Sequence, residues 1–157
     1  MADERMKPDG ELPFCGERLV YARFDVSFDT GGGGRFGYVN GMIASVPDGK
    51  RRDFVVHAAK NARLFQENGV LRLVSGLGAD MPVGKITDFP RRAGRDGETV
   101  SFGWIEWPEK STCDAGVCAM MQDPRMREMS PAWNGPLAIF GGLTPILATD
   151  NVQGGPI

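Results

Sequence analysis

The segment from residue 98 to 129 limits the possible folds of this chain more than any other. It reads ETVSFGWIEWPEKSTCDAGVCAMMQDPRMREM. Apolar side chains alternate with period two over residues 99–107, which predicts a strand that Pro108 ends. A helix is predicted over residues 111–122, and it ends just before Pro124, a residue that suits the first turn of a new helix. The segment therefore predicts a strand followed closely by a helix.

Further alternating and helical patterns fill the chain after the first 37 residues. Strands are predicted over residues 38–46, 70–77 and 137–147, and a helix with apolar residues at helical spacing is predicted over residues 51–68. The resulting order is β-α-β-β-α-β, which is the ferredoxin-like arrangement. The sequence thus predicts an α+β fold, a four-stranded antiparallel sheet with two helices on one face.

The predicted sheet is apolar on both faces. Ile105 and Trp107 lie on the face opposite to Phe102 and Trp104. Two helices cover only one face, and an exposed apolar face of that size needs a cover. A second copy of the same sheet would supply it, which predicts a two-fold homodimer through the sheet face, unless residues 19–28 cover the face within the same chain.

Residues 1–37 differ from the rest and are expected to form an appended segment. Their charged start is expected to be disordered, whereas residues 19–28 alternate as a possible extra strand. Four consecutive glycines at 31–34 then form a flexible joint, without the Gly-Lys-Ser/Thr sequence of a phosphate loop. The predicted organisation is this segment, a barrel domain over residues 38–150, and a C-terminal tail over residues 151–157.

Composition excludes several classes of protein. A length of 157 residues with 41% hydrophobic residues suits one domain with a core, and a net charge of −2 gives no general attraction to nucleic acid or an anionic membrane. The basic residues Arg91, Arg92 and Arg95 are interspersed with acidic ones and are read as a solvated loop. Three cysteines lack the spacing of a secreted disulfide framework, and no apolar run could span a bilayer. The chain is expected to be cytoplasmic, with neither nucleic acid nor membrane as a partner.

Several segments together resemble a known family. They are YVNG at 38–41, LFQENG at 64–69, GKITDF at 84–89, ETVSFGWIE at 98–106, MQDPRM at 121–126 and IFGG at 139–142. Over residues 38–147 the chain resembles the YbaA-like family of small bacterial proteins, a family without established activity in the dimeric α+β barrel superfamily. The resemblance implies a dimeric barrel with a ligand pocket between the sheet and the helices of each subunit.

Three functions stay open after this resemblance. The favoured one is a homodimeric barrel that binds a small hydrophobic ligand. The alternatives are a cofactor-independent monooxygenase or isomerase acting on a hydrophobic or aromatic small molecule, as elsewhere in the superfamily, and a structural or interaction module. Membership of a superfamily is an analogy of fold and does not assign chemistry.

Five residues are candidates for a ligand pocket. Asn40 and Trp104 lie on strands that supply pocket residues in related monooxygenases, and His57 is the single histidine of the chain. Arg72 and Glu106 lie in strands with apolar neighbours, where an inward charge must pair or meet a polar ligand. Each also has an ordinary structural reading, as a packed strand residue, a boundary helix residue or a solvated charge.

The remaining conspicuous residues are expected to be structural. Asp114 and Asp123 suit helix caps, and Arg125 suits a salt bridge with Asp123. A single histidine excludes a multi-histidine metal site, and the sequence contains no GxGxxG directly after a strand and no CxxC or HExxH motif. Neither a metal nor a cofactor is therefore expected. Convergence of Asn40, His57, Trp104 and Glu106 in one cavity would favour the enzyme, and their dispersal would count against it.

Overall fold

An antiparallel sheet of five strands forms the centre of the computed structural model, which describes residues 18–32 and 34–146. The strands are β1 (Arg23–Asp29), β2 (Tyr38–Pro47), β3 (Arg72–Asp80), β4 (Glu98–Trp107) and β5 (Ile139–Leu143). The helices are α1 (Arg51–Glu67), α2 (Phe89–Ala93), α3 (Lys110–Gln122) and α4 (Pro124–Arg127), with single 3₁₀ turns at Asp48–Lys50 and Gly135–Leu137.

The strands lie in the order β1-β3-β4-β2-β5, and every neighbouring pair is antiparallel. The predicted α+β class is confirmed. The predicted number of four strands is wrong, because β1 hydrogen-bonds to the outer edge of β3 and becomes a fifth strand. This edge of β3 would otherwise present unpaired backbone groups, which an added strand satisfies.

One face of the sheet is covered by α1 and α3. Trp107 is completely buried there and packs in one cluster with Leu64 from α1 and Met120 from α3. Gly116 permits this close packing, because a Cβ atom at that position would lie 2.5 Å from the Asn68 carbonyl oxygen and 2.7 Å from the Trp107 ring. The main core therefore lies between the helices and the sheet.

The opposite face, here called the open face, carries no long helix. Residues that pair across antiparallel strands point to the same side, so the ladders identify its members. Its large apolar residues include Val26, Ile43, Phe102, Trp104, Ile139 and Leu143. Val26 is 63% exposed and Leu143 is 64% exposed. Much of this face is therefore apolar and in contact with solvent.

A loop of residues 81–97, here called the α2 loop, covers one part of the open face. Phe89 of α2 packs edge-on against Phe24 at a ring-centroid distance of 5.5 Å, and Phe24 lies 5.5 Å from Phe102. Asp88 begins α2 by accepting hydrogen bonds from the backbone N–H of Arg91 at 2.8 Å and of Gly84 at 3.2 Å. These bonds, the Arg91 bond foremost, lower the pKa of Asp88. The basic segment that was read as a solvated loop thus contains a short, capped helix.

Within the two described ranges, no helix has the length and apolar character needed to cross a membrane.

Candidate functional site

Three of the five pocket candidates lie together on the open face. Arg72 on β3 is directly opposite Glu106 on β4, and Trp104 is two residues earlier on the same face of β4. The Trp104 indole N–H donates a hydrogen bond to Glu106 Oε1 at 3.1 Å. An Arg72 guanidinium nitrogen lies 4.0 Å from the same oxygen. Glu106 is only 5% exposed, so these two neighbours compensate a buried carboxylate.

Asp29 completes this group, and sequence reasoning missed it. The Arg72 guanidinium donates two hydrogen bonds to the Asp29 carboxylate, at 3.0 and 2.6 Å. These bonds lower the pKa of Asp29, and the same pair raises the pKa of Arg72. A forked pair of this kind holds both groups in a fixed geometry. Arg72 therefore joins β1 to β3, and two of its guanidinium nitrogens donate hydrogen bonds within the protein.

The environment of Glu106 gives a stability prediction. We expect Glu106→Ala to lower the free energy of unfolding by about 1–3 kcal/mol, because it leaves the half-buried Trp104 N–H without its acceptor. Glu106→Gln keeps an acceptor oxygen in place and should lower the free energy of unfolding by less. Urea denaturation of both variants measures the difference. Equal losses would show that the hydrogen bond to Trp104 does not stabilise the fold.

Asn40 lies on the other face of the sheet, under α3. It is opposite Ile105 in the β2–β4 ladder, and its Oδ1 accepts a hydrogen bond from Cys113 Sγ at 2.9 Å. Cys113 is 4% exposed, and burial raises the pKa of its thiol. Asn40 is therefore bonded inside the core and separated by the sheet from Arg72, Trp104 and Glu106.

His57 lies in a third location, on α1. Its Nε2 accepts a hydrogen bond from the Asn61 side-chain amide at 2.7 Å, and its ring packs edge-on against Trp133 at 4.8 Å. Burial is the largest influence on His57 and lowers its pKa, against the opposing effect of a hydrogen bond to the Ser130 backbone. His57 thus connects α1 to the segment before β5 in its neutral form.

The lowered pKa of His57 makes stability dependent on pH. A folded-state pKa below the unfolded value of about 6.5 means that the unfolded chain binds the proton more readily. The contribution of neutral His57 to the free energy of unfolding is complete above the unfolded-state pKa. It is lost as the pH falls through the folded-state pKa. Between about pH 7 and pH 5, the wild type should lose more free energy of unfolding than His57→Gln. Parallel pH dependences in urea denaturation would contradict this prediction.

The residues expected to be structural lie on α3, on α4 and at the junction between them. Asp114 pairs with Lys110 at 2.6 Å, one turn apart on α3, and does not close a capping box. Asp123 accepts a hydrogen bond from the Arg125 backbone N–H at 2.8 Å and so caps α4. Arg125 also pairs with Glu67 at 2.9 Å, which fixes α4 against the end of α1. These contacts account for all three residues without a ligand.

A pocket of about 440 Å³ opens between the α2 loop and the start of β4. Its walls include the apolar side chains of Met81, Pro90 and Val100. Charged side chains also line it, namely Arg91, Arg95, Asp96 and Glu98. None of the five candidates from the sequence lines this pocket. In the part of the chain that the structure describes, no group of three His, Cys, Asp or Glu side chains is arranged to hold a metal ion.

Glu98 is the residue of this pocket that sequence reasoning missed. Its Oε2 is buried and has no hydrogen-bond partner among the described residues. As the first residue of β4 it resembles an ordinary solvated carboxylate at a strand end, so only the fold of the α2 loop above it reveals the burial.

The fold and the site describe an α+β protein with a five-stranded antiparallel sheet, one helix-covered face and a pocket beside the other. Residues 37–136 match the family model described as Protein of unknown function (DUF1428), and the chain belongs to this family.

Curated relatives agree with this assignment. The chain is 42% identical over 113 residues to the Uncharacterized protein YbaA of Escherichia coli strain K12. The aligned region covers 70% of this chain and 97% of the relative. The YbaA proteins of Escherichia coli O157:H7 and Shigella flexneri match to the same extent. The predicted resemblance to the YbaA-like family is therefore confirmed.

Proposed function

We propose that this protein is a two-fold homodimer of the dimeric α+β barrel type that binds a small molecule in the pocket beneath the α2 loop. The apolar open face is the observation that carries the dimer. Val26, Ile139 and Leu143 are 63%, 46% and 64% exposed, and they occupy the two edge strands of one sheet face. Apolar residues so placed on both sides of Phe102 and Trp104 are typical of an interface.

The connectivity of the sheet supports the same proposal. Without β1, the order β3-β4-β2-β5 is the order of a ferredoxin-like sheet, with α1 and α3 as its two helices. β1 extends the sheet at its edge, and the α2 loop covers only the end of the open face near the start of β4. The middle of the face is left for a second copy, whose identical surface would pack against it about a two-fold axis.

The pocket supports the ligand-binding part of the proposal. Its volume of about 440 Å³ lies within the range of small-molecule sites, roughly 300–1,000 Å³. It combines apolar walls from Met81 and Val100 with a few charged groups, which is the usual composition of such sites. The position differs from the sheet–helix pocket that the resemblance implies, because Asn40, Cys113 and Trp107 fill that space here.

The enzyme alternative has weaker support. Catalysis without a cofactor needs an acid or base held in one site with its substrate. Asn40 lies under α3, His57 lies beside Trp133, and Trp104 with Glu106 lies on the open face. These four side chains do not share a cavity, so the arrangement that would have favoured catalysis is not formed by them.

Amide chemical-shift mapping tests the ligand site. A fragment library is added to ¹⁵N-labelled protein, and the amide signals of Gly78 and Gly94, both of which line the pocket, are followed. Gly116, a buried residue of α3 on the other side of the sheet, is the internal control. Selective shifts at Gly78 and Gly94 support the proposed site. Binding that shifts only signals near His57 or Asn40, or the absence of any binding, would overturn it.

A further inference from the structure

We propose that the two copies interlock about an axis between β2 and β4, so that Trp104 of each subunit packs over the partner's Gly41 and the partner's Gly141. This inference rests on the proposed homodimer and adds the residues and the axis by which the second copy is recognised. The observation that carries it is a pair of strand glycines that the single subunit does not explain.

Gly41 and Gly141 lie directly opposite each other on the open face, in the β2–β5 ladder. Neither has a positive φ, so the backbone of either strand would accept a side chain. Among the described residues, a Cβ atom at Gly141 would have no neighbour within 4 Å, and one at Gly41 would meet only the Gly141 carbonyl oxygen at 4.0 Å. Glycine weakens the interior of a strand and often marks the close approach of another group. The described part of the subunit supplies no such group, so the gap above these glycines is suited to one from outside it.

Two other glycines of this face have a reason within the subunit. A Cβ atom at Gly76 would lie 3.1 Å from the Cβ atom of Phe24, and one at Gly78 would overlap the side chain of Met81. Both positions are therefore restricted by packing against β1 and the α2 loop. The space above Gly41 and Gly141 has no such restriction.

Trp104 is the bulky residue beside this gap. It lies between Val74 on β3 and Gly41 on β2 in the same row of the sheet. The hydrogen bond from its indole N–H to Glu106 orients the ring, and the Phe102 ring lies on its other side at a centroid distance of 5.8 Å. An oriented tryptophan loses little freedom on association and belongs to the residue types that dominate binding energy at interfaces.

The position of the axis follows from this row. A two-fold axis along the strands, between β2 and β4, exchanges β4 with β2 of the partner and β3 with β5 of the partner. Trp104 then lies over the partner's Gly41, and Val74 lies over the partner's Gly141. An axis across the strands would instead place each strand over its own copy, and the aromatic residues of β4 would meet each other. The axis along the strands is the one that places Trp104 opposite the gap.

The neighbouring row of the open face is complementary about the same axis. Its residues lie in the order Val26, Gly76, Phe102, Ile43 and Ile139 across the five strands. The axis places the partner's Ile139 over Gly76, between Val26 and Phe102. Val26 is 63% exposed and Ile139 is 46% exposed in the single chain. The interlocked dimer would therefore bury the exposed apolar side chains of both edge strands.

The size of the face suits a second copy. Strands of five to ten residues, at about 3.4 Å per residue and about 4.8 Å apart, give the five-stranded face an area of roughly 700 Å². A stable dimer of standard size buries roughly 800 Å² on each partner. The open face, with the α2 loop at one end of it, is therefore comparable in area to such an interface.

The test fills the gap in the full chain without adding a charge. Gly41→Val and Gly141→Val each place a branched side chain where the subunit leaves space, and valine suits a strand. We expect each variant to raise the dissociation constant of the dimer at least about tenfold in sedimentation equilibrium, because overfilling a fitted contact is unfavourable. Circular dichroism confirms that both variants are folded.

Gly49→Val is the matched control. Gly49 lies in the 3₁₀ turn between β2 and α1, and a Cβ atom there also meets nothing within 4 Å among the described residues. The dissociation constant of this variant should equal that of the wild type.

A double variant tests the contact between Trp104 and the gap. Trp104→Ala alone should raise the dissociation constant of the dimer. Combined with Gly141→Val, it should raise it by less than the product of the two single effects, because the smaller residue leaves room for the valine. Trp104 and Gly141 lie two strands apart in one subunit, about 10 Å, so this coupling reports a contact between subunits.

Three results would contradict the inference. If Gly41→Val and Gly141→Val dimerise as tightly as the wild type, or if the two effects in the double variant simply multiply, the interlocking arrangement fails. The dimer through the open face would still stand in either case. If the wild-type chain is a monomer at micromolar concentration, the proposed dimer itself fails, and the interlocking arrangement fails with it.

Discussion

Val26→Asp is expected to convert the proposed dimer into a monomer. Val26 lies opposite Gly76 on β3, which in turn lies opposite Phe102 on β4, so its side chain belongs to the open face. In a two-fold interface the substitution places one unpaired carboxylate on each side, and burying such charges is strongly unfavourable. We expect the dissociation constant of the dimer to rise by at least about 100-fold, as measured by sedimentation equilibrium.

Val117→Asp is the matched control for this experiment. Val117 lies on α3, in the helix layer across the sheet, and is 41% exposed. The same change of valine to aspartate should leave the dimer intact there. Circular dichroism confirms that both variants are folded. A Val26→Asp protein that stays dimeric at micromolar concentration would exclude the open face as the interface.

Trp107→Ala is expected to produce the largest loss of stability. Trp107 is completely buried, and it packs with residues of both α1 and α3. Removal of a buried aromatic side chain costs about 3–5 kcal/mol, and a small domain has only about 5–15 kcal/mol in total. Because Gly116 packs directly on this ring, the close approach of α3 to the sheet should also loosen.

Trp133→Ala provides the comparison for Trp107→Ala. Trp133 is half-buried and packs on Phe54 and His57 near the segment before β5. We expect a smaller decrease in the free energy of unfolding for this variant in urea denaturation. Similar losses for both tryptophans would contradict the view that the core between the sheet, α1 and α3 holds the fold together.

The sequence predicts the order of the elements well because each depends on a local pattern. Alternation identified the strands that became β2, β3 and β4, and helical spacing identified α1 and α3. The α2 loop was harder, since its glycines and prolines suggest a plain loop. The aspartate at 88, two residues before a proline, was the available signal for a helix start.

The lateral order of strands could not be derived from periodicity. Residues 19–28 read as a possible strand, but the pattern contains no information on which edge of the sheet it joins. The structure attaches β1 to β3, and this pairing brings Asp29 to Arg72. Likewise, the contact of Arg72 with Glu106 depends on the register between β3 and β4.

The candidate site was predicted only in part for the same reason. Periodicity assigns a residue to a face of its own strand but does not say which faces of different elements meet. Asn40, His57 and Trp104 therefore seemed able to share a cavity, whereas the ladders separate them. Glu98 depends on the α2 loop folding over the sheet, a long-range contact that no local pattern contains.

Native mass spectrometry of untagged protein, isolated gently from cells, tests the central claim most directly. We expect a species of twice the 17.0 kDa chain mass that carries a reproducible additional small-molecule mass. A monomer without any bound mass would contradict both the dimer and the ligand site.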